Sequence, residues 1–275
     1  MTDDTRRQDG GRITSRQNSL VRLARQTREG KAPGLIFAEG LRLCEEVARA
    51  GLAVNAVLFT DDFIRNERAA ELVRTLSARA EKPAAVSRDV IEHLSDTKTP
   101  QGVVCVARRP AADRRAFESA AQGQPLVVVL HRVNNPSNAG AMLRVAEAAG
   151  ASGVVATRQT ADLFSPKALR GAMGSTFRLP LWTGADFGEV LGWCADRGIQ
   201  TFGTSLGATR THTEVDWTRP SAVILGSEGS GLDESETRAA RETIRIPMRA
   251  PVESLNVAAA LAVVLYEAAR QRQSL

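Results

Sequence analysis

The run Leu126-Val127-Val128-Val129-Leu130 is apolar at every position, with no alternation between an inward and an outward face. A strand of that kind must be covered on both sides, which confines it to a sheet flanked by helices, as in parallel α/β architectures. Ala222-Val223-Ile224-Leu225 repeats the pattern, and helix-like stretches alternate with strand-like ones along the whole second half. The spacing predicts a helix over 137–149 with Ser137 as its cap and Gly150 as its stop, then a strand over 153–156. A short helix over 166–173, a strand over 178–182 and a helix over 187–197 follow. Strands over 199–202, 222–225 and 243–246 frame a helix over 234–240. The last helix, capped by Ser254 and running to about Arg270, is apolar nearly all round. Such a helix packs on more than one side, against the sheet and against a second subunit.

The first half alternates too, but with shorter elements: strands over 35–38, 54–59, 84–86 and 102–107, and helices over 15–27, 41–50, 69–80 and 90–94. This pattern predicts a separate small α/β domain over residues 12–108. Residues 1–11 are polar and charged and read as a mobile tail. Residues 109–124 hold Pro110, several charges and no clean period, and read as a linker with at most one helical turn. A second domain then occupies 125–275.

At 275 residues, 43% hydrophobic and 24% charged, the chain has globular composition and room for two cores. No apolar run is long enough to span a bilayer, and the amino terminus lacks the apolar stretch of a secretory signal. Cys44, Cys105 and Cys194 fit neither a disulfide framework nor zinc-ligand spacing, and the three histidines are scattered. The expectation is a cytoplasmic, metal-free protein with no membrane partner. A net charge of +5 favours polyanionic partners without deciding the fold.

Three segments interrupt the strand–helix rhythm with residues that a core does not need. Asn135-Pro136-Ser137-Asn138-Ala139-Gly140 with Arg144, Gly226-Ser227-Glu228-Gly229-Ser230-Gly231-Leu232, and Ile246-Pro247-Met248 with Ser254-Leu255-Asn256 each follow a predicted strand. Crevices at the carboxyl ends of such strands are where open α/β sheets bind ligands. The glycine-rich loop is neither the dinucleotide fingerprint nor a Walker loop, since no Lys follows Gly231. Glu228 amid the glycines would repel a phosphate, so a ligand with a cationic or neutral polar face fits better. Two readings of Arg144 stand: an ion pair with Glu147 three residues on, or a guanidinium that grips a phosphate bidentately. Asn256, placed by the pattern in the first turn of the last helix, is a poor residue for a helix interior.

In their order and residue types, these segments resemble the three motifs of SpoU/TrmH-type RNA ribose 2′-O-methyltransferases of the SPOUT superfamily. The stretches Ile13-Thr14-Ser15-Arg16-Gln17-Asn18 and Phe37-Ala38-Glu39-Gly40 resemble the ribosomal-protein-like RNA-binding domain that precedes many of them. The chain departs from the family at His131, where an acid is common, and at Asn135-Pro136, where Asp-Pro is common. The resemblance implies a small α/β RNA-binding domain joined to a parallel-sheet α/β domain with a carboxyl-terminal trefoil knot, acting as a homodimer through that domain. It implies S-adenosylmethionine as methyl donor, no metal, and contacts from Thr204, Gly226, Ser227, Ile246, Met248 and Leu255. Arg144, Asn138, Glu228, Ser254 and Asn256 become the catalytic set, and Arg16, Arg22, Lys167 and Arg170 the RNA contacts.

The implied reaction is an in-line displacement in which a ribose 2′-hydroxyl takes the sulfonium methyl. Positioning and proton removal then carry the catalysis. A guanidinium does not readily act as a base, so Arg144 is expected to hold the neighbouring phosphate and orient the hydroxyl. The substrate implied is structured RNA, foremost large-subunit ribosomal RNA, with transfer RNA or a catalytically silent RNA-binding role as the alternatives. A nicotinamide-dependent oxidoreductase fails because no strand is followed by GxGxxG and a later acid.

Overall fold

A computed structural model describes residues 8–9, 11–121 and 123–272 of the chain. It divides into two compact units, Met1–Pro110 with Phe164–Leu169, and Ala111–Leu163 with Arg170–Leu275. In the first unit, β1 (Gln8–Asp9) pairs antiparallel with β2 (Arg12–Ile13), so part of the expected tail is a short hairpin. There follow α1 (Ser19–Arg28), β3 (Leu35–Glu39), α2 (Leu41–Arg49), β4 (Val54–Phe59), α3 (Glu67–Ser77), β5 (Ala80–Ala85), α4 (Arg88–Leu94) and β6 (Val103–Arg108). The sheet order is β3-β6-β4-β5, mixed because only β4 and β5 run parallel. Val21 and Ala24 of α1 join Phe37, Leu58, Ile91 and Val106 in the core. The opposite face of α1 is less free than its arginines suggest. Arg16, just ahead of it, pairs through two nitrogens with Asp89, and Arg28 donates to the carbonyls of His93 and Leu94 at 3.2 and 3.0 Å. The first turn and the carboxyl end of α4 are thus held by basic residues.

The second unit opens where a linker was expected. Asp113 caps α5 (Arg114–Ala120), accepting from the Ala116 amide at 2.8 Å. Phe117 on that helix is fully buried, 5.5 Å from Trp193 and 6.3 Å from Trp182 between ring centroids. One aromatic among charges and alanines gives no period, so its burial is decided by the core it meets. β7 (Leu126–Leu130), α6 (Pro136–Ala148), β8 (Gly153–Thr157), α7 (Pro166–Ala172, counted with the first unit as far as Leu169), α8 (Ser175–Arg178), β9 (Leu181–Ala185) and α9 (Phe187–Asp196) follow. The expected strand over 178–182 is therefore displaced: Gly174, at φ +92°, starts one more helical turn and β9 begins after it. β10 (Gln200–Thr204), β11 (Ser221–Leu225), α10 (Glu234–Ala239), β12 (Glu242–Ile244) and α11 (Val257–Gln271) complete the unit.

The second sheet has order β12-β10-β11-β7-β8-β9 and is parallel throughout. β7, β8 and β11 are buried at every residue, as uninterrupted apolar runs covered on both faces require. Phe117, Val190 and Trp193 cover Val127, Val129, Val155 and Ile224 on one face. α6 packs against β8 and α11.

Candidate active site

Because the strands are parallel, their carboxyl ends share one edge, and the loops after β7, β11, β10 and β12 leave it side by side. β8 and β9 extend the sheet to one side of β7, while β11, β10 and β12 extend it to the other. Such a reversal of strand order opens a crevice at the strand ends.

The loop after β11 closes on itself: Ser227 donates its amide to the Gly231 carbonyl at 3.2 Å, and Gly231 returns its own to Ser227 at 2.9 Å. Gly226 has to be glycine, because a Cβ there would overlap the Gly231 carbonyl and the Leu232 amide. Gly231 takes φ +66°, which glycine adopts without strain. The closed loop turns Glu228 toward the β7–α6 turn. There it accepts the amides of Asn134 and Asn135 at 3.1 and 3.0 Å and the Asn138 Nδ2 at 3.2 Å. Burial works against the charged carboxylate. Hydrogen bonds from its own backbone, the Asn138 side chain and the two turn amides outweigh that cost and hold the group below the ordinary glutamate range.

The third segment joins through asparagine. Asn256 Oδ1 accepts the amides of Ala258 and Ala259 at 2.9 and 3.4 Å, so Asn256 is the N-cap of α11. This corrects the expectation that Ser254 caps the helix and that Asn256 lies inside it; Ser254 is exposed in the loop before the cap. With Oδ1 committed, Asn256 Nδ2 donates to Asn138 Oδ1 at 3.1 Å, and Asn138 Nδ2 donates onward to Glu228. The polarity of the relay is fixed at both ends, by helix amides that only donate and a carboxylate that only accepts. Asn135, and not Ser137, caps α6: its Oδ1 accepts from Ser137 and Asn138 at 2.9 and 3.4 Å, with Pro136 in the first turn. Asx-Pro ahead of a helix is the signal that could have identified it.

Glu228, the acceptor end of this relay, lines a cavity of about 410 Å³ that Asn138 and Asn256 do not line, within the range of roughly 300–1,000 Å³ usual for small-molecule sites. Thr204, Gly226, Ser227, Ile246, Met248 and Leu255, the six residues expected at the cofactor, all line it, as do Glu228 and Ser254. Its floor is apolar, from Leu225, Ile244, Val257 and Val264. Leu206 and Leu255 on its wall are 63% and 41% exposed. Arg245 and the Ser205–Gly207 turn also line it and had no sequence signal of their own.

Arg144 stands apart. It is exposed, does not line its own chain's cavity, and has no partner among the described residues. The alternative pairing with Glu147 is not made, because Glu147 binds Arg178 and Ser175 instead. Of the expected RNA contacts, Arg22 and Lys167 are exposed without partners among the described residues, Arg16 is engaged with Asp89, and Arg170 is half-buried and held within the protein. No cluster of metal-ligating side chains occurs among the described residues. His131, the departure noted above, is buried between Thr157 and Glu236, with Nδ1 and Nε2 at 2.9 and 2.7 Å.

Comparison with known proteins agrees with this geometry. Residues 125–266 match the model of the SpoU rRNA Methylase family, and residues 18–105 match that of the MRM3-like substrate binding domain. An uncharacterized tRNA/rRNA methyltransferase of Synechocystis is 36% identical over 94% of both chains. The 23S rRNA (uridine(2479)-2′-O)-methyltransferase of Streptomyces viridochromogenes is 31% identical over 96% of this chain and 93% of its own. Among solved structures, the SpoU methyltransferase AviRb of the same organism, in complex with AdoMet, superposes with a TM-score of 0.85 at 29% identity, covering 94% of this chain and 99% of that one. The AdoMet-bound rRNA methyltransferase of Sinorhizobium meliloti gives 0.82 at 27% identity, covering 94% and 97%. Three motifs knit into one crevice and a family match over more than half the chain lead to one conclusion: this protein belongs to the SpoU rRNA methylase family.

Proposed function

We propose that this protein methylates a ribose 2′-hydroxyl of 23S ribosomal RNA, with S-adenosylmethionine as donor. The observation that carries the reading is the Asn256–Asn138–Glu228 relay, which ties the two segments that line one cavity to a third, the β7–α6 turn. The cavity suits the donor on its own chemistry. An apolar floor with Ile246 and Leu255 takes a purine, the glycine loop offers backbone groups at close range, and an ionised Glu228 favours a cationic ligand over a phosphate. The bound donor supplies an activated methyl on a sulfonium, so no metal is required.

The chain's own residues then have to position the sugar. Asn138 and Asn256 act through Glu228, because their amides are already committed to the relay. Ser254, exposed on the cavity wall, is left with a hydroxyl for the substrate. Arg144 holds the phosphate beside the reacting sugar. Its exposure fits assembly as a homodimer through the carboxyl-terminal unit. Ala259, Val263 and Tyr266 form an open stripe on α11, with Val263 39% and Tyr266 45% exposed, and α11 packs on the helix that carries Arg144. Burying that stripe against a second copy would place Arg144 at the joint. A trefoil knot between β11 and α11 belongs to the same reading, supported by the return of α11 onto α6 after β12 has paired beyond β10. Arg22 and Lys167 serve as RNA contacts, and the protein works in the cytoplasm with its RNA.

Mapping ribose methylation in RNA from a deletion strain tests the function. Loss of a single 2′-O-methyl from 23S RNA, restored by the gene, is the expected result; an unchanged 23S map with a methyl missing from transfer RNA would replace the substrate. Light scattering should show a dimer that Val263→Glu dissociates.

A further inference from the structure

Arg132 is one of three non-glycine residues with positive φ among the described residues, at +57°, and it sits in the turn that feeds the site. A left-handed backbone at such a residue persists only where its surroundings enforce it. The enforcing group is Glu236 on α10, whose side chain is 12% exposed. Its Oε1 accepts from His131 Nε2 at 2.7 Å, and its Oε2 accepts from Arg132 Nη2 at 2.5 Å and from the Asp233 amide at 2.8 Å. The His131 ring is held from its other nitrogen by Thr157 and stacks 4.2 Å from Phe187. Glu236 therefore fixes residues 131 and 132, while Glu228, from the same β11–α10 segment, takes the amides of residues 134 and 135. Two carboxylates from one segment staple the two ends of one short turn.

We propose that Glu236 is a positioning residue for the methyl donor: its grip on His131 and Arg132 holds the turn in the conformation that aims the Asn134 and Asn135 amides at Glu228. The inference rests on the methyltransferase reading and adds a residue outside its three motifs. Without Glu236 the turn relaxes, Glu228 loses its donors, and the carboxylate no longer faces the ligand's positive charge. The loss is selective, since the product S-adenosylhomocysteine carries no sulfonium.

Calorimetric titration of the full chain with S-adenosylmethionine and S-adenosylhomocysteine tests this. Binding of both by the unaltered protein establishes the underlying reading; absence of binding there would remove that reading, not the role of Glu236 within it. Glu236→Gln keeps the size but removes the charge and replaces one of the two accepting oxygens with an NH2, so the side chain can no longer accept from both His131 and Arg132. It should raise the Kd for S-adenosylmethionine about tenfold and that for S-adenosylhomocysteine less than about threefold, the scale of one charge-assisted hydrogen-bond network. Arg132→Gly should do the same, although glycine relaxes the backbone; a purely structural role predicts no loss of affinity there. In a Glu228→Gln background Glu236→Gln should add little, because coupled residues are not additive. Equal weakening of both ligands, unchanged affinity, or full additivity with Glu228→Gln would overturn the proposal. Should Glu236→Gln melt too low to titrate, Arg132→Gly, which keeps the carboxylate, decides the question alone. Glu234→Gln, on the exposed side of α10, is the neutral control.

Discussion

Asn256 has two jobs that a single atom change can separate. Its Oδ1 caps α11 and its Nδ2 holds Asn138. Asn256→Ala removes both, costing about 1 kcal/mol through the lost cap. In a unit of this size that lowers the melting temperature by roughly 2–4 °C. Asn256→Asp retains the acceptor and adds a charge that the helix amino terminus favours, so the cap survives and the melting temperature should stay within about 1 °C. The donor to Asn138 is gone, however, and a carboxylate now faces Asn138 Oδ1. Asn138 must turn away, which also frees Glu228 of one donor. Losing these two hydrogen bonds at about 0.5–1.5 kcal/mol each predicts a fall in methyl transfer between about fivefold and about 160-fold. Scanning calorimetry and transfer of a labelled methyl group to ribosomal RNA measure the two effects on one preparation. If Asn256→Asp is as unstable as Asn256→Ala, or transfers methyl at the unaltered rate, the relay is not what organises this site.

Arg144→Lys keeps the charge but not the planar fork, so turnover should drop at least about tenfold with little change in RNA affinity; near-full turnover would refute a bidentate grip on phosphate. Gly226→Ala should abolish S-adenosylmethionine binding in titration calorimetry, because the added methyl collides with the Gly231–Leu232 backbone that closes the cavity loop. The pH response follows from Glu228. Its folded-state carboxyl lies below the ordinary value, so its contribution is complete above the ordinary glutamate range and fades only as pH falls through the lowered folded value. Affinity for S-adenosylmethionine, followed from about pH 7 to about pH 3, should therefore hold across the ordinary carboxylate range and fall only below it, and Glu228→Gln should remove that acid limb.

The parallel α/β second half was legible from residue order alone, because strands such as Val127–Val129 are apolar without alternation and call for cover on both faces. Motif spacing placed the glycine loop at a strand end, while the six residues expected at the cofactor came from the resemblance to the SpoU/TrmH motifs, and all six line the cavity. Cap positions slipped where two polar residues competed: Ser254 and Asn256 both suit an N-cap, and only the path of α11 against α6 selects Asn256. Phe117 read as linker because a short helix with one buried ring has no period to detect. The relay was beyond the sequence altogether. Asn138 meets Asn256 across 118 residues and Glu228 across 90, separations over which no propensity acts. The order of strands in the sheet makes those meetings, and likewise sets Glu236 against His131 and Arg132. Residue types restrict what each segment is able to do, while topology decides which segments face one another, and in this protein the site exists only at that second level.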